Sequence, residues 1–213
     1  MGKINLGILG GFSGKVGNVV GGKWKGISYM RARSTSVSNP RTDGQMNQRT
    51  KFALVLSVLK PMTGFLRVGY KKYAINQTAF NAAMSYMLNN AITGSSSADY
   101  SIDLSKVLVS RGNLTGAANA KATSANGVVT LTWDDNSGSG TATQTDNALI
   151  VVLNSKRAES VFDAGGNQRV AGTEDISVPA DWVGESVEVF LGFITADGKE
   201  VANSVYLGSV TVA

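Results

Sequence analysis

The 213-residue chain has no cysteine and no histidine. Without thiols there is no disulfide framework, no thiolate nucleophile and no cysteine-based zinc site. Without imidazole the commonest general base and the commonest metal ligand are missing, which excludes serine–histidine and cysteine–histidine machinery. Carboxylate and lysine chemistry remain open, but no complete catalytic motif gathers such groups. No apolar run approaches the length of a membrane span. The opening residues Met1 to Gly11 hold a short apolar run broken by glycines, too short for the core of a signal peptide. The expectation is a protein that is not an enzyme, needs no cofactor or metal, carries no secretion signal and contacts no membrane.

Acidic residues are scarce in the first part of the chain. Residues 1–78 hold thirteen Lys or Arg and one acidic residue, Asp43, a net +12; residues 79–213 hold seven Lys or Arg and fourteen acidic residues, a net −7. Together they return the formal charge of +5. Such asymmetry points to a basic segment that seeks an anionic partner. That partner is either nucleic acid, reached through residues 1–51, or the acidic half of a neighbouring copy.

Glycine is plentiful where acid is not. Nine glycines fall within the first 26 residues, interleaved with Lys15, Lys23, Lys25, Phe12 and Trp24. Glycine at this density makes a helix entropically costly. Residues 1–41 therefore read as an extended, basic, glycine-rich arm. Residues 16–21 form a short extended piece, and Trp24, Ile27, Tyr29 and the stem of Arg31 mark a strand over residues 24–33. A phosphate-binding loop fails on spacing: Gly10 and Gly14-Lys15 enclose three residues rather than four, and Val16 stands where Ser or Thr is needed. The dinucleotide fingerprint fails too, because Gly11, Gly14 and Gly17 are spaced three and three. Interleaved cations and aromatics suit a single-strand groove. They equally suit an arm lying on another subunit, with Trp24 and Tyr29 as anchors. The docking set is Lys15, Trp24, Lys25, Tyr29, Arg31, Arg33, Arg41 and Arg49.

A hinge follows. Pro40 pushes Asn39 toward extended backbone, and Thr42 with Gln45 forms a capping box. A helix is expected from there to about Lys60, where Pro61 ends it. It is more apolar than a surface helix needs, so another element or another chain covers it. Residues 62–73 read as a connector. Asn76 or Thr78 caps a second helix whose stripe is Phe80, Met84, Met87, Leu88 and Ala91, stopped by Gly94. This gives a two-helix middle segment over residues 42–98.

From residue 99 the composition turns to Val, Thr, Ser and Gly. Seven strand-like runs are expected at 104–110, 127–133, 147–153, 158–163, 174–178, 186–194 and 204–212. That number and spacing predict a seven-stranded β-sandwich over residues 99–213. Its core would take Val129, Leu131 and Trp133 from one strand and Val187, Val189, Leu191 and Phe193 from another. Asp134, Asp135 and Asn136 offer oxygen ligands in a glycine-rich loop, but no bidentate Glu completes a calcium loop, and a solvated hairpin loop is the better reading. Glu159, Asp163, Glu174, Asp175, Asp181, Glu185 and Glu188 read as solvated faces and as a landing surface for a basic arm. The fold class is α+β, mainly β.

The runs Gly127 to Trp133, Ala148 to Val152 and Val187 to Phe193, with the turn Asp197-Gly198, resemble a fibronectin type III domain. In that family the second strand carries a core tryptophan; Phe190 and Phe193 stand nearest the place of its usual late-strand tyrosine. The whole chain also resembles an uncharacterised Bacteroidetes, prophage-associated family. The matching pieces are Gly14-Lys15-Val16-Gly17-Asn18, Trp24-Lys25-Gly26, Asn39-Pro40-Arg41-Thr42 with Gln45 and Arg49, Ala91 to Gly94 and Asp99-Tyr100-Ser101. The resemblances imply an immunoglobulin- or fibronectin III-like module in a virion or assembly component, either a homo-oligomer or a partner of other assembly proteins. Nucleic-acid binding through the arm, or a surface or carbohydrate-binding module, are the alternatives.

Overall fold

A computed structural model describes residues 3–4, 10–24, 26–36, 39 and 41–213. Lys25 of the docking set and Pro40 of the hinge lie outside the described residues. The fold is α+β and mainly β, with three α-helices and several antiparallel sheets. The chain divides into two compact units, Met1–Thr42 and Asp43–Ala213.

The first unit is a four-stranded antiparallel meander in the order β1 (Lys3–Ile4), β2 (Phe12–Val16), β3 (Val19–Trp24), β4 (Ile27–Ala32). The expectation of one extended piece over 16–21 and one strand over 24–33 is corrected by its two turns. Gly17, at φ +56°, opens the turn between Val16 and Val19; Gly26, at φ +89°, closes the one between Trp24 and Ile27. Both angles belong to the region that glycine enters without penalty.

The second unit opens with α1 (Asp43–Leu59), α2 (Thr63–Gly69) and α3 (Ala79–Asn90). Asp43 sits in the first turn of α1, where the helix dipole favours an anion. The Thr78 hydroxyl caps α3, accepting from the Asn81 N–H at 3.1 Å. Three helices replace the expected two, because residues 63–69 are helical rather than a connector. Phe65, Leu66 and Gly69 supply the buried face of α2. Gly69 hides the helix in the sequence, yet the packing requires it: a Cβ there would stand 2.5 Å from the Val109 carbonyl oxygen.

A two-stranded pair, β5 (Ile92–Thr93) with β6 (Ser101–Ile102), follows α3. Seven longer strands come next: β7 (Ala118–Ala125), β8 (Val128–Asp134), β9 (Asn147–Asn154), β10 (Glu159–Asp163), β11 (Thr173–Ser177), β12 (Ser186–Ile194) and β13 (Val205–Thr211). They form a three-stranded sheet, β11-β8-β7, and a four-stranded sheet, β10-β9-β12-β13. The expected run at 104–110 is not a strand: residues 104–106 make a 3₁₀ turn, and the Val109 N–H goes to the Ser204 hydroxyl at 2.9 Å.

The central strands of the four-stranded sheet, β9 and β12, are buried on both sides. Along β9, Ala148, Ile150 and Val152 join Val129, Leu131, Trp133, Val187, Val189 and Leu191 in a core shared with the three-stranded sheet. Leu149, Val151 and Leu153 point the other way and pack with Val55, Leu59, Phe65, Leu66 and Met87 of the helices. Such a strand reads as a continuous apolar run, and residues 148–153 do so. Arg169 is fully buried at the first core's edge. Its guanidinium pairs with Asp146 at 3.1 Å, donates to the Thr115 and Gly116 carbonyls and to Asn136 Oδ1, and lies 3.8 Å from the Phe193 ring centroid. The loop residue Asn136 therefore serves the fold.

Candidate docking surface

Directly paired residues on neighbouring strands share a face. In the meander Lys15 pairs with Val20 and Val20 with Arg31; Gly22 pairs with Tyr29, and Trp24 with Ile27. Because residues 20, 22 and 24 alternate to one side of β3, all these pairs lie on a single face. One end of that face is aromatic and apolar: Trp24, Ile27 and Tyr29 line a concavity of about 330 Å³, and Trp24 and Ile27 are 64% and 69% exposed. The other end is basic, with Lys15 and Arg31. Arg33 extends it by one step, its N–H bound to the Asn18 carbonyl at 2.8 Å. The Tyr29 ring lies over Gly22, where a Cβ would meet it at 2.9 Å.

The opposite face carries Val16, Val19, Met30 and Ala32, all exposed, beside Lys23 and Phe12. Among the described residues the meander buries no apolar side chain. Residues 1–42 contain seven Lys or Arg and no carboxylate, so no ion pair can form between side chains inside the unit.

Of the sequence-derived docking set, the structure thus brings together Lys15, Trp24, Tyr29 and Arg31, with Arg33 at the margin. Arg41 is exposed at φ +49°, just before the unit boundary. Arg49 belongs to α1 of the second unit. There Arg49, Phe52, Leu56 and Lys60 fall at i, i+3, i+7 and i+11, one helical face. Phe52 and Leu56 are half-exposed and form a ridge between two grooves. One groove, about 490 Å³, also takes Met84 and Leu88; the other, about 500 Å³, takes Ala53, Pro61 and Ala158.

A family model matches residues 11–208, and so spans both units. The chain belongs to the DUF6266 family. Its description is a family of unknown function. No curated protein matches the chain. The family assignment covers the meander from the residue before β2 and nearly all of the second unit, so both exposed apolar surfaces lie within the matched residues.

The seven acidic residues read as a landing surface are engaged within their own unit. Glu185 accepts from Arg157 and Asn154, and Asp181 pairs with Arg157 at 2.7 Å. Glu159 takes the Trp182 indole N–H at 3.2 Å, Glu188 the Tyr206 hydroxyl, and Asp175 the Thr130 hydroxyl at 2.6 Å. Asp163 accepts from the Gly165 N–H. Glu174 is nearly buried, accepts from the Asn167 N–H, and burial pushes its carboxyl above the ordinary range. Sequence reasoning had no means of seeing these partners, which are brought together by the fold.

Proposed function

We propose that this chain is a non-enzymatic structural protein that assembles with neighbouring subunits through its N-terminal meander and displays an immunoglobulin- or fibronectin III-like sandwich, as a component of a phage-like virion. One observation carries the assembly reading. A four-stranded sheet in a unit whose sequence has seven cations and no carboxylate, and which buries no apolar side chain among its described residues, lacks a core of its own, and sheets of this size need one face covered. Asp181 and Glu185 are already paired with Arg157, and Trp24, Ile27 and Tyr29 offer apolar anchors beside any charge match.

The strand orders β11-β8-β7 and β10-β9-β12-β13 support the sandwich reading. Relative to the constant-type immunoglobulin arrangement, the fourth strand pairs with the third rather than joining the first sheet. Trp133 lies on the second strand of this module, where the fibronectin resemblance expects a core tryptophan. The virion setting rests on the resemblance of the whole chain and places the protein in a particle or in host cytoplasm.

Light scattering on a sizing column tests the proposal, with the full chain and a variant lacking residues 1–42. The expected result is a discrete oligomer with a protein-like 260/280 nm ratio for the first and a folded monomer for the second. Assembly that persists without the meander would overturn it. A second reading follows from the same face: aromatics flanked by cations form a stacking platform for single-stranded nucleic acid. It predicts a monomer that carries nucleic acid and releases it in high salt.

A further inference from the structure

Arg111 of the second unit differs from Arg157 and Arg169 in its surroundings. Arg157 and Arg169 are matched by carboxylates. The Arg111 guanidinium makes no ion pair or hydrogen bond among the described residues, yet it is held in place: its carbon lies 4.4 Å from the Tyr73 ring centroid and 5.0 Å from that of Tyr86. Its backbone is pinned as well, the Arg111 N–H donating to the Gly69 carbonyl and the Gly112 N–H to Asn203 Oδ1, each at 3.0 Å. Two aromatic rings thus fix a planar cation and leave its N–H fork unused.

The guanidinium lines a concavity of about 270 Å³ with Gln77, Asn89 and Asn90. The amide nitrogens of these three side chains donate to backbone carbonyls of Tyr73, Ser85 and Tyr86, at 3.2, 2.8 and 2.7 Å. Their amide oxygens are left as acceptors. A fork of N–H donors suits a carboxylate in two-point contact, and a set of amide oxygens suits hydroxyl donors. The volume lies just below the usual range for ligand pockets, which starts at about 300 Å³, and so suits a single ring.

We propose that this pocket, built by the 3₁₀ turn at Lys71–Tyr73, the loop residue Gln77, α3 and Arg111, binds a polyhydroxylated carboxylate of the size of one sugar acid. The inference is independent of the meander and of assembly.

Calorimetric titration of the full-length chain with glucuronate, glucose and inorganic phosphate tests it. Glucuronate is expected to bind about tenfold or more tightly than either glucose or phosphate, the size of one charge-assisted contact. Arg111→Gln should lose that advantage. Asn90→Ala, an exposed position outside the core, should weaken glucuronate binding severalfold with unchanged circular dichroism, and decides the matter if Arg111→Gln fails to fold. Equal binding of glucose and glucuronate, phosphate as tight as glucuronate, or undiminished binding by a folded Arg111→Gln or by Asn90→Ala would each overturn the proposal.

Discussion

The sheet β10-β9-β12-β13 and the meander β1–β4 have the same number of strands and opposite surroundings. In the first, Leu149 and Val151 face helices while Ile150 and Val152 face a second sheet, and none is accessible. In the second, Trp24, Ile27 and Met30 are 64%, 69% and 71% exposed. The covered sheet spends its apolar surface on folding. The meander leaves its apolar surface uncovered by its own unit. Register alone would not produce this difference, since both are regular antiparallel ladders. Composition does: residues 148–153 are apolar without interruption, whereas in β3 and β4 glycines and cations alternate with the large side chains.

The comparison breaks most severely if the covered region tolerates damage. Asp146 and Arg169 are both fully buried, and Asp146→Ala leaves the guanidinium uncompensated in the interior. The expected cost is about 3–5 kcal/mol, read as a lower urea midpoint with an unchanged slope. Asp146→Ala combined with Arg169→Met should recover part of the loss, because removing both members of a buried pair is cheaper than removing one. A single variant within experimental error of the parent would mean that water reaches the pair.

The meander should respond in the opposite sense. Trp24→Ala with Ile27→Ala removes two large exposed side chains. Urea unfolding of the second unit should stay unchanged, while self-association weakens by about 2 kcal/mol or more, the range of interface anchors. Sedimentation over a dilution series checks this. Loss of stability in the second unit, with assembly intact, would show that the anchors serve folding rather than docking.

These contrasts bear on what the sequence could reveal. The strands β8 to β13 were legible from apolar runs and from the turn clusters between them. β7 was not: Ala120 and Ala122 face the core, but alanine lacks the bulk and branching by which strands are recognised. Conversely, Leu104, Val107 and Val109 look like a strand and are not one. Val107 and Val109 are buried by packing, while the segment's backbone hydrogen bonds go to a turn and to Ser204. On the aromatic face of the meander, Trp24 and Ile27 are three apart in sequence, an odd spacing for one side of a strand. The turn at Gly26 puts them directly opposite each other, and so on the same face. The Arg111 pocket was illegible, since Tyr73, Tyr86 and Arg111 come from three separate segments that only the fold joins.

The smallest effect sharpens the comparison through acid. Glu185 is held down to about 2, first by the hydrogen bond from Arg157 and then by that from Asn154. A carboxyl whose pKa is lowered in the folded state contributes stability that is fully present above its ordinary value of 4.5 and is lost as pH falls through about 2. Glu185→Gln should therefore flatten the decline of melting temperature with acidification in that window and lower the melting temperature at neutral pH by the same modest amount, since the pair is partly solvated. The meander contains no carboxylate, so removing residues 1–42 should leave the same acid limb where it was. Melting followed by circular dichroism between pH 2 and 7 reads both. A Glu185→Gln limb parallel to that of the parent would mean that Arg157 does not hold the carboxylate. A limb displaced by truncation would mean that the charges of the meander act on the second unit, and the two regions would then no longer be separate in their energetics.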